Sequence, residues 1–274
     1  MNFKVLVEDT QLSAQFGTEH GLSLYIETED NKILFDMGES SLFLKNAKKL
    51  GVDISGIDFA VISHGHDDHG GGLGGFLENN KKAKVYVNRS AFGKYYSLSS
   101  KGDLEYAGLD KALVQSSRVV LTSGQFPIAE GILLFSDIIN GEPYSELNKD
   151  LFMERGGEIV KDSFEHEQVL ILTEGDKTFL ITGCAHNGIA NILAHSRDIL
   201  GRMPDYVIGG FHLYKCPSLG EDGFRTVDKI GEYLLNANTE YYTCHCTGIE
   251  SYNRLKINLG DRIHYLHAGS EISL

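Results

Sequence analysis

Short runs rich in Val, Ile, Leu and Phe alternate along this chain with stretches whose apolar residues recur at helical spacing, the pattern of an α/β protein. The runs "FKVLVE", "LSLYIET" and "KILFDMG" predict three early strands, the last two joined through the turn-like "EDN" as a hairpin. A helix is predicted from about Ser40 to Leu50, followed by "FAVIS", whose unbroken apolar character fits a buried strand, and by "AKVYVN". Periodicity then fades from Arg89 to about Asp162, where the short strands "RVVLT" and "GILLF" and the polar stretch "GEPYSELNKDLFMERGGE" occur. We read residues 89–162 as an inserted region that shapes a pocket within a single domain spanning residues 1–274. Order returns at Gln168 with the hairpin "QVLILTEGDKTFLITG", a helix from about Gly188 to Leu200 and the strand "DYVIGG". A helix near Gly223 to Leu235, the strand "EYYTC", a short helix and the strand "RIHYL" follow. The chain has no internal repeat of fixed period.

Charge narrows the partners. With 38 acidic and 25 basic residues the formal charge is −13, which repels polyphosphate chains and anionic lipid, so a small-molecule substrate is expected and neither nucleic acid nor membrane. The opening "MNFKVLVEDT" does not read as a secretory signal and no window approaches a membrane span, so a cytoplasmic location is expected. Four cysteines, Cys184, Cys216, Cys244 and Cys246, all fall in the last third and do not read as a disulfide framework. The 31 glycines against four prolines, many beside histidines or after apolar runs, suggest a site built from loops.

Four apolar strands each deliver a histidine just past their end: "FAVIS" runs into His64, "TFLITGCA" into His186, "DYVIGGF" into His212 and "EYYTC" into His245. In an α/β sheet the carboxyl ends of parallel strands share one edge, so these histidines are expected to converge. The densest stretch is "AVISHGHDDHGGG". His64 and His66, two apart, point to the same side in extended backbone, and Asp68 and His69 offer a carboxylate and another imidazole in the turn that follows. So many ionisable groups at the end of a buried strand are expensive unless a divalent cation offsets them. Imidazole with carboxylate suits zinc first, then iron, manganese or nickel, and two divalent ions are expected. "GGGLGG" lacks the Lys-Ser/Thr ending of a phosphate-cradling loop, so tight turning and close helix approach explain it better. His195, His264 and His267 read as structural. Cys244 and Cys246 flank His245, and strand alternation would turn both away from the site into packing.

The run "SHGHDDHGGGL" matches the His-x-His-x-Asp-His motif of the metallo-β-lactamase superfamily, and "ILFDMG" resembles its early strand, whose Asp36 helps order the metal loop. "EHGLSLYIE", "TGCAHNGI", "GGFHL" and "HCTG" resemble the branch of metal-dependent hydrolases of β-lactamase superfamily II, some of whose members are labelled dihydropterin ribofuranosylaminobenzene-phosphate synthases. The resemblance runs from Glu19 to Gly248 and implies an αββα four-layer sandwich with metals at one edge. It implies His64, His66, Asp68, His69 and His245 as ligands, with His186 ranked first and Cys184 second for the middle position. His212 is a ligand or a donor to water or substrate, and His20 a wall of the pocket. The resemblance offers His166 in "SFEHEQ" as the superfamily's third histidine, preceding the hairpin, but flanking Glu165 and Glu167 read equally well as a solvated turn, and it is left out.

The expected activity is hydrolysis by metal-activated water, with Asp68 and His212 as catalytic groups, acting on a small phosphorylated, ester or pterin-like molecule. No Gly-x-Ser-x-Gly elbow supplies a nucleophilic serine. Arg89, Lys94, Tyr95, Tyr96 and Lys101 are candidate substrate contacts from the inserted region. Two alternatives stand beside this reading: a pterin-pathway synthase using the same metals as Lewis acids, and an iron-dependent dioxygenase-type enzyme.

Overall fold

The computed structural model describes residues 1–139, 141 and 146–274; part of the polar stretch singled out at 141–158 therefore lies outside the described residues. The chain divides into two compact units, one built from Met1–Ser123, Lys149–Gln168 and His267–Leu274, the other from Gly124–Asn148 and Val169–Leu266.

The first unit holds a seven-stranded sheet in the order Glu271–Ser273, Asn2–Val7, Ser23–Glu27, Lys32–Phe35, Phe59–Ile62, Lys84–Asn88 and Val119–Thr122. Pairing is antiparallel up to Lys32–Phe35 and parallel beyond it. That change of sense matters chemically. In the parallel half Phe35 lies opposite Val61, so the residues that follow the two strands, Asp36 and Ser63, emerge at the same edge. The helix Leu42–Lys49 lays Phe43 and Ala47 onto a core that includes Leu6, Leu34, Ile62, Leu73 and Val85. Beyond the histidine stretch the helix Leu73–Asn79 begins, and the glycines before it permit its close approach. A β-carbon on Gly71 would meet the carbonyl of Glu39, and one on Gly72 that of Met37. A separate antiparallel sheet, in the order Glu158–Lys161, Leu151–Arg155, Tyr95–Leu98 and Leu104–Tyr106, completes this unit.

The second unit has its own seven-stranded sheet, ordered Ile263–Tyr265, Glu240–Thr243, Tyr206–Gly209, Lys177–Ile181, Val169–Glu174, Ile132–Phe135 and Phe126–Ala129. Its first four strands are parallel, linked through the helices Ile189–Leu200, Glu221–Asn236 and Ile249–Leu259. These helices bury Ile192, Leu193, Val227, Ile230, Leu234 and Leu255 against Leu180, Val207 and Tyr241. The parallel strands end at Ile181, Gly209 and Thr243, a few residues before Cys184, His212 and His245. The architecture is thus mixed α/β, as the apolar pattern predicts. Among the described residues no helix is long and apolar enough to cross a membrane.

Candidate metal centre

In the first unit, the strand Phe59–Ile62 runs into Ser63, His64, Gly65 and His66, and His66 caps the short helix Asp67–Gly70 with extended backbone. His64, His66 and His69 are buried. The His64 ring lies 4.7 Å from that of His66 and 4.2 Å from that of His69, centroid to centroid. Donor atoms of His64, His66 and Asp68 fall within 4.8 Å of one another, and His69 Nε2 is 3.6 Å from Asp68 Oδ2.

Each of these rings is held through one nitrogen. His64 Nδ1 is 2.9 Å from Ser63 Oγ, His69 Nδ1 is 2.6 Å from Asp36 Oδ2, and His66 Nε2 is 3.4 Å from Asp162 Oδ2. A ring fixed through one nitrogen presents the other to a metal, so His64 and His69 present Nε2 and His66 presents Nδ1. Asp36 anchors the arrangement. Fully buried, it accepts the Ser63 N–H at 2.7 Å on Oδ1 and the Ser63 hydroxyl at 2.7 Å on Oδ2. It does so from left-handed backbone, φ 58°, which a non-glycine residue adopts only at some cost.

The structure corrects the reading of His166 as a solvated turn. The ring is fully buried, accepts the Gly65 N–H at 2.9 Å on Nδ1, and therefore donates from Nε2 to Asp162 Oδ2 at 3.0 Å. Burial is the largest influence on its pKa and keeps it below the ordinary value, consistent with a neutral ring. Asp162, also missed by the sequence pattern, sits between His166 and His66. Burial pushes its carboxyl up, but the hydrogen bonds and charge of His166 and His66 outweigh this and hold it well below the usual carboxylate range. Burial likewise pushes His66 down, yet Asp162, Asp68 and Asp67 together raise it above its ordinary value. His20, half-exposed, donates or accepts at Nδ1 with Asp9 at 2.7 Å, and its Nε2 lies 3.5 Å from Asp68.

In the second unit, Cys184, His186, His212, His245 and Cys246 are all buried. The His186 and His212 rings are 4.3 Å apart, and Asn148 clamps His186 twice, through Nδ1 at 3.1 Å and through its carbonyl at 2.7 Å. Donor atoms of Cys184, His212 and Cys246 lie within 4.8 Å of one another. Strand alternation does not turn Cys246 away, because the strand stops at Thr243 and a tight turn, His245–Thr247, follows. The His212 N–H donates to Cys246 Sγ at 3.2 Å, and that sulfur is 3.4 Å from the Cys184 carbonyl. Burial pushes the Cys246 thiol up, but Cys184, His212 and the charge of His245 draw it well below its ordinary value. Ala185, His212 and His245 all take left-handed backbone, φ 58°, 51° and 46°. Such strain, about 1–3 kcal/mol per residue, persists only where surrounding structure enforces it.

This donor set fits metal. His212 Nδ1 is buried with no hydrogen-bond partner, and imidazoles, thiols and carboxylates are what zinc and its neighbours bind. His195 packs on Phe135, His264 stacks on Tyr242 and lies 3.2 Å from Glu240, and His267 bonds Thr10, all structural roles. Tyr95 is buried, its hydroxyl donating to the Ser90 carbonyl and its ring 4.1 Å from that of His166. Lys94 pairs with Glu154 at 2.6 Å.

Comparison with known proteins agrees with these observations. The model of the metallo-β-lactamase superfamily matches residues 17–214. The chain is 31% identical to a 7,8-dihydropterin-6-methyl-4-(β-D-ribofuranosyl)-aminobenzene-5'-phosphate synthase of Methanocaldococcus jannaschii, covering 99% of this chain and 96% of that protein. It is 29% identical to an uncharacterised protein of the same organism, covering 99% of each. A solved structure described as a metal-dependent hydrolase of the β-lactamase superfamily superposes with a TM-score of 0.82 at 32% identity, covering 100% of this chain and 99% of that one. With its histidine motif at the carboxyl end of a parallel strand and its likeness to these relatives along the whole length, the chain belongs to the metallo-β-lactamase superfamily.

Proposed function

We propose that this protein is a metal-dependent hydrolase of a small phosphorylated or ester substrate in the cytoplasm, using two divalent ions, zinc first. The residues assigned as ligands are His64, His66, Asp68, His69, His186, His245 and Cys184. The observation that carries the reading is the histidine stretch of the first unit, where His64, His66 and His69 are each secured at one ring nitrogen and so oriented to coordinate through the other. When bound, divalent ions polarise the scissile group and lower the pKa of water to about 7, which makes a nucleophile at neutral pH. Asp68 accepts a hydrogen bond from the attacking water and aims it. His212 donates to the substrate or to that water. Asp36, Ser63 and Asp162 keep the imidazoles in the required tautomers.

A second reading rests on the M. jannaschii relative, whose name is that of a synthase. In it the same residues hold a phosphorylated precursor whose bond to its phosphate group breaks, the phosphate group leaving as the new bond to a second molecule forms. Product analysis with a pterin alcohol or diphosphate and the aminobenzene ribotide separates joining from cleavage. The common premise is tested by His66→Ala, which should lose most bound metal by elemental analysis, together with activity on a panel of phosphodiester, lactone and thioester substrates. A full metal complement in the variant refutes the ligand assignment.

A further inference from the structure

We propose that Cys246, together with Cys184 and His212, forms a soft-donor metal site in the second unit, two thiolates and one imidazole selective for zinc or another thiophilic divalent ion. The inference rests on the metal-dependent reading and changes its ligand set: Cys246 enters, and His212 becomes a ligand.

Three observations converge. The donor atoms of the three residues lie within 4.8 Å of one another, and tetrahedral zinc with Zn–S bonds of about 2.3 Å spaces its ligands about 3.7 Å apart, so only small side-chain movements close the site. His212 is 7% exposed, and its Nδ1 is buried without a hydrogen-bond partner. A buried polar atom left in that state is destabilising, and a coordinated ion removes the penalty. The backbone around Cys246 is also fixed in advance. Its carbonyl accepts the N–H groups of Leu213 and Tyr214 at 2.8 Å each, and Thr247 Oγ1 accepts that of Phe211 at 2.9 Å. Even Gly210 belongs to this device, because a β-carbon there would lie 2.5 Å from Cys246 Sγ. A cysteine that merely filled the core would not need this ring of polar contacts.

Charge favours the same answer: two thiolates and a neutral imidazole balance a divalent ion, and thiolate donors select zinc over magnesium or manganese.

The test uses the zinc-loaded protein. Zinc-edge X-ray absorption of the unaltered chain should contain a sulfur shell at about 2.3 Å equivalent to two sulfurs per protein; one sulfur or none overturns the inference without requiring any variant to fold. After exchange with cobalt, thiolate-to-cobalt absorption in the near ultraviolet should fall by about half in Cys246→Ser and in Cys184→Ser, and remain unchanged in Cys216→Ser. A Cys246→Ser protein that keeps the full band per bound cobalt also overturns it. The result is separable from the broader reading: if His66→Ala keeps all its metal while the two-sulfur shell is present, the first-unit assignment fails and this one stands.

Discussion

Asp36→Asn isolates the part of the design that acts through another residue. Asp36 uses both carboxylate oxygens: Oδ1 for the Ser63 N–H, and Oδ2 for the Ser63 hydroxyl and for His69 Nδ1 at 2.6 Å. Asparagine has one oxygen. Whichever way its amide turns, an N–H faces either the Ser63 backbone donor or His69 Nδ1. In the second case the imidazole proton moves to Nε2, the nitrogen that must be bare to bind metal. Asparagine tolerates the left-handed backbone of position 36 as well as aspartate does, so the change leaves the chain path intact. Loss of such an outer partner lowers metal affinity about 10–100-fold, equivalent to about 1.4–2.7 kcal/mol. The metal-free protein should also lose about 2–4 kcal/mol, from one charge-assisted hydrogen bond and one donor left facing a donor. Competition against a chromophoric chelator gives the first quantity and urea unfolding of metal-free protein the second. An Asp36→Asn protein binding metal within about threefold of the unaltered one would refute the claim that Asp36 sets the His69 tautomer.

Two further outcomes follow from contacts outside the candidate ligand set. Gly209→Ala should destabilise by more than about 3 kcal/mol in urea unfolding, since φ is 138° and the new methyl would overlap the Thr182 carbonyl, whereas Gly51→Ala, at φ 69° with open space around it, should cost only about 1–2 kcal/mol. Asp205 accepts from Thr178 N–H at 2.7 Å, Thr178 Oγ1 at 2.9 Å and Arg202, so Asp205→Ala should cost about 1–2 kcal/mol at pH 7. Burial pushes the Asp205 carboxyl up, but these bonds outweigh it and the folded pKa is lowered; the contribution is therefore full above the unfolded value near 3.8 and disappears as pH falls through the folded one. Unfolding measured from pH 7 downward should show a constant difference between the two proteins above about pH 4 that begins to narrow below it.

The strands that carry the site were legible because they are buried throughout except at the first residue of two of them, and "FAVIS", "DYVIGG" and "EYYTC" form the predicted strands. The sheet of Tyr95–Leu98, Leu104–Tyr106, Leu151–Arg155 and Glu158–Lys161 was not. Its strands are three to five residues long and mostly half-buried or exposed, so they leave no period to read. The same division holds within the site. His64, His66, Asp68 and His69 announce themselves because they crowd six residues. His166 does not, since what makes it an interior residue is the Gly65 N–H, 101 positions away, and Asp162. Glu165 and Glu167 give it the look of a surface turn, although Glu167 is itself buried. A histidine four residues after an aspartate was the one local signal available. Cys246 escapes the strand pattern for a different reason: alternation holds only while a strand lasts, and this one ends two residues before His245.

His212 and His245 share a backbone conformation that glycine enters freely and other residues resist. At these places chemical usefulness and thermal robustness pull in opposite directions. A laboratory evolution experiment rewarding heat tolerance alone would drift toward glycine there and harvest sturdy, inert proteins; one rewarding turnover would keep both histidines and seek its robustness elsewhere in the chain.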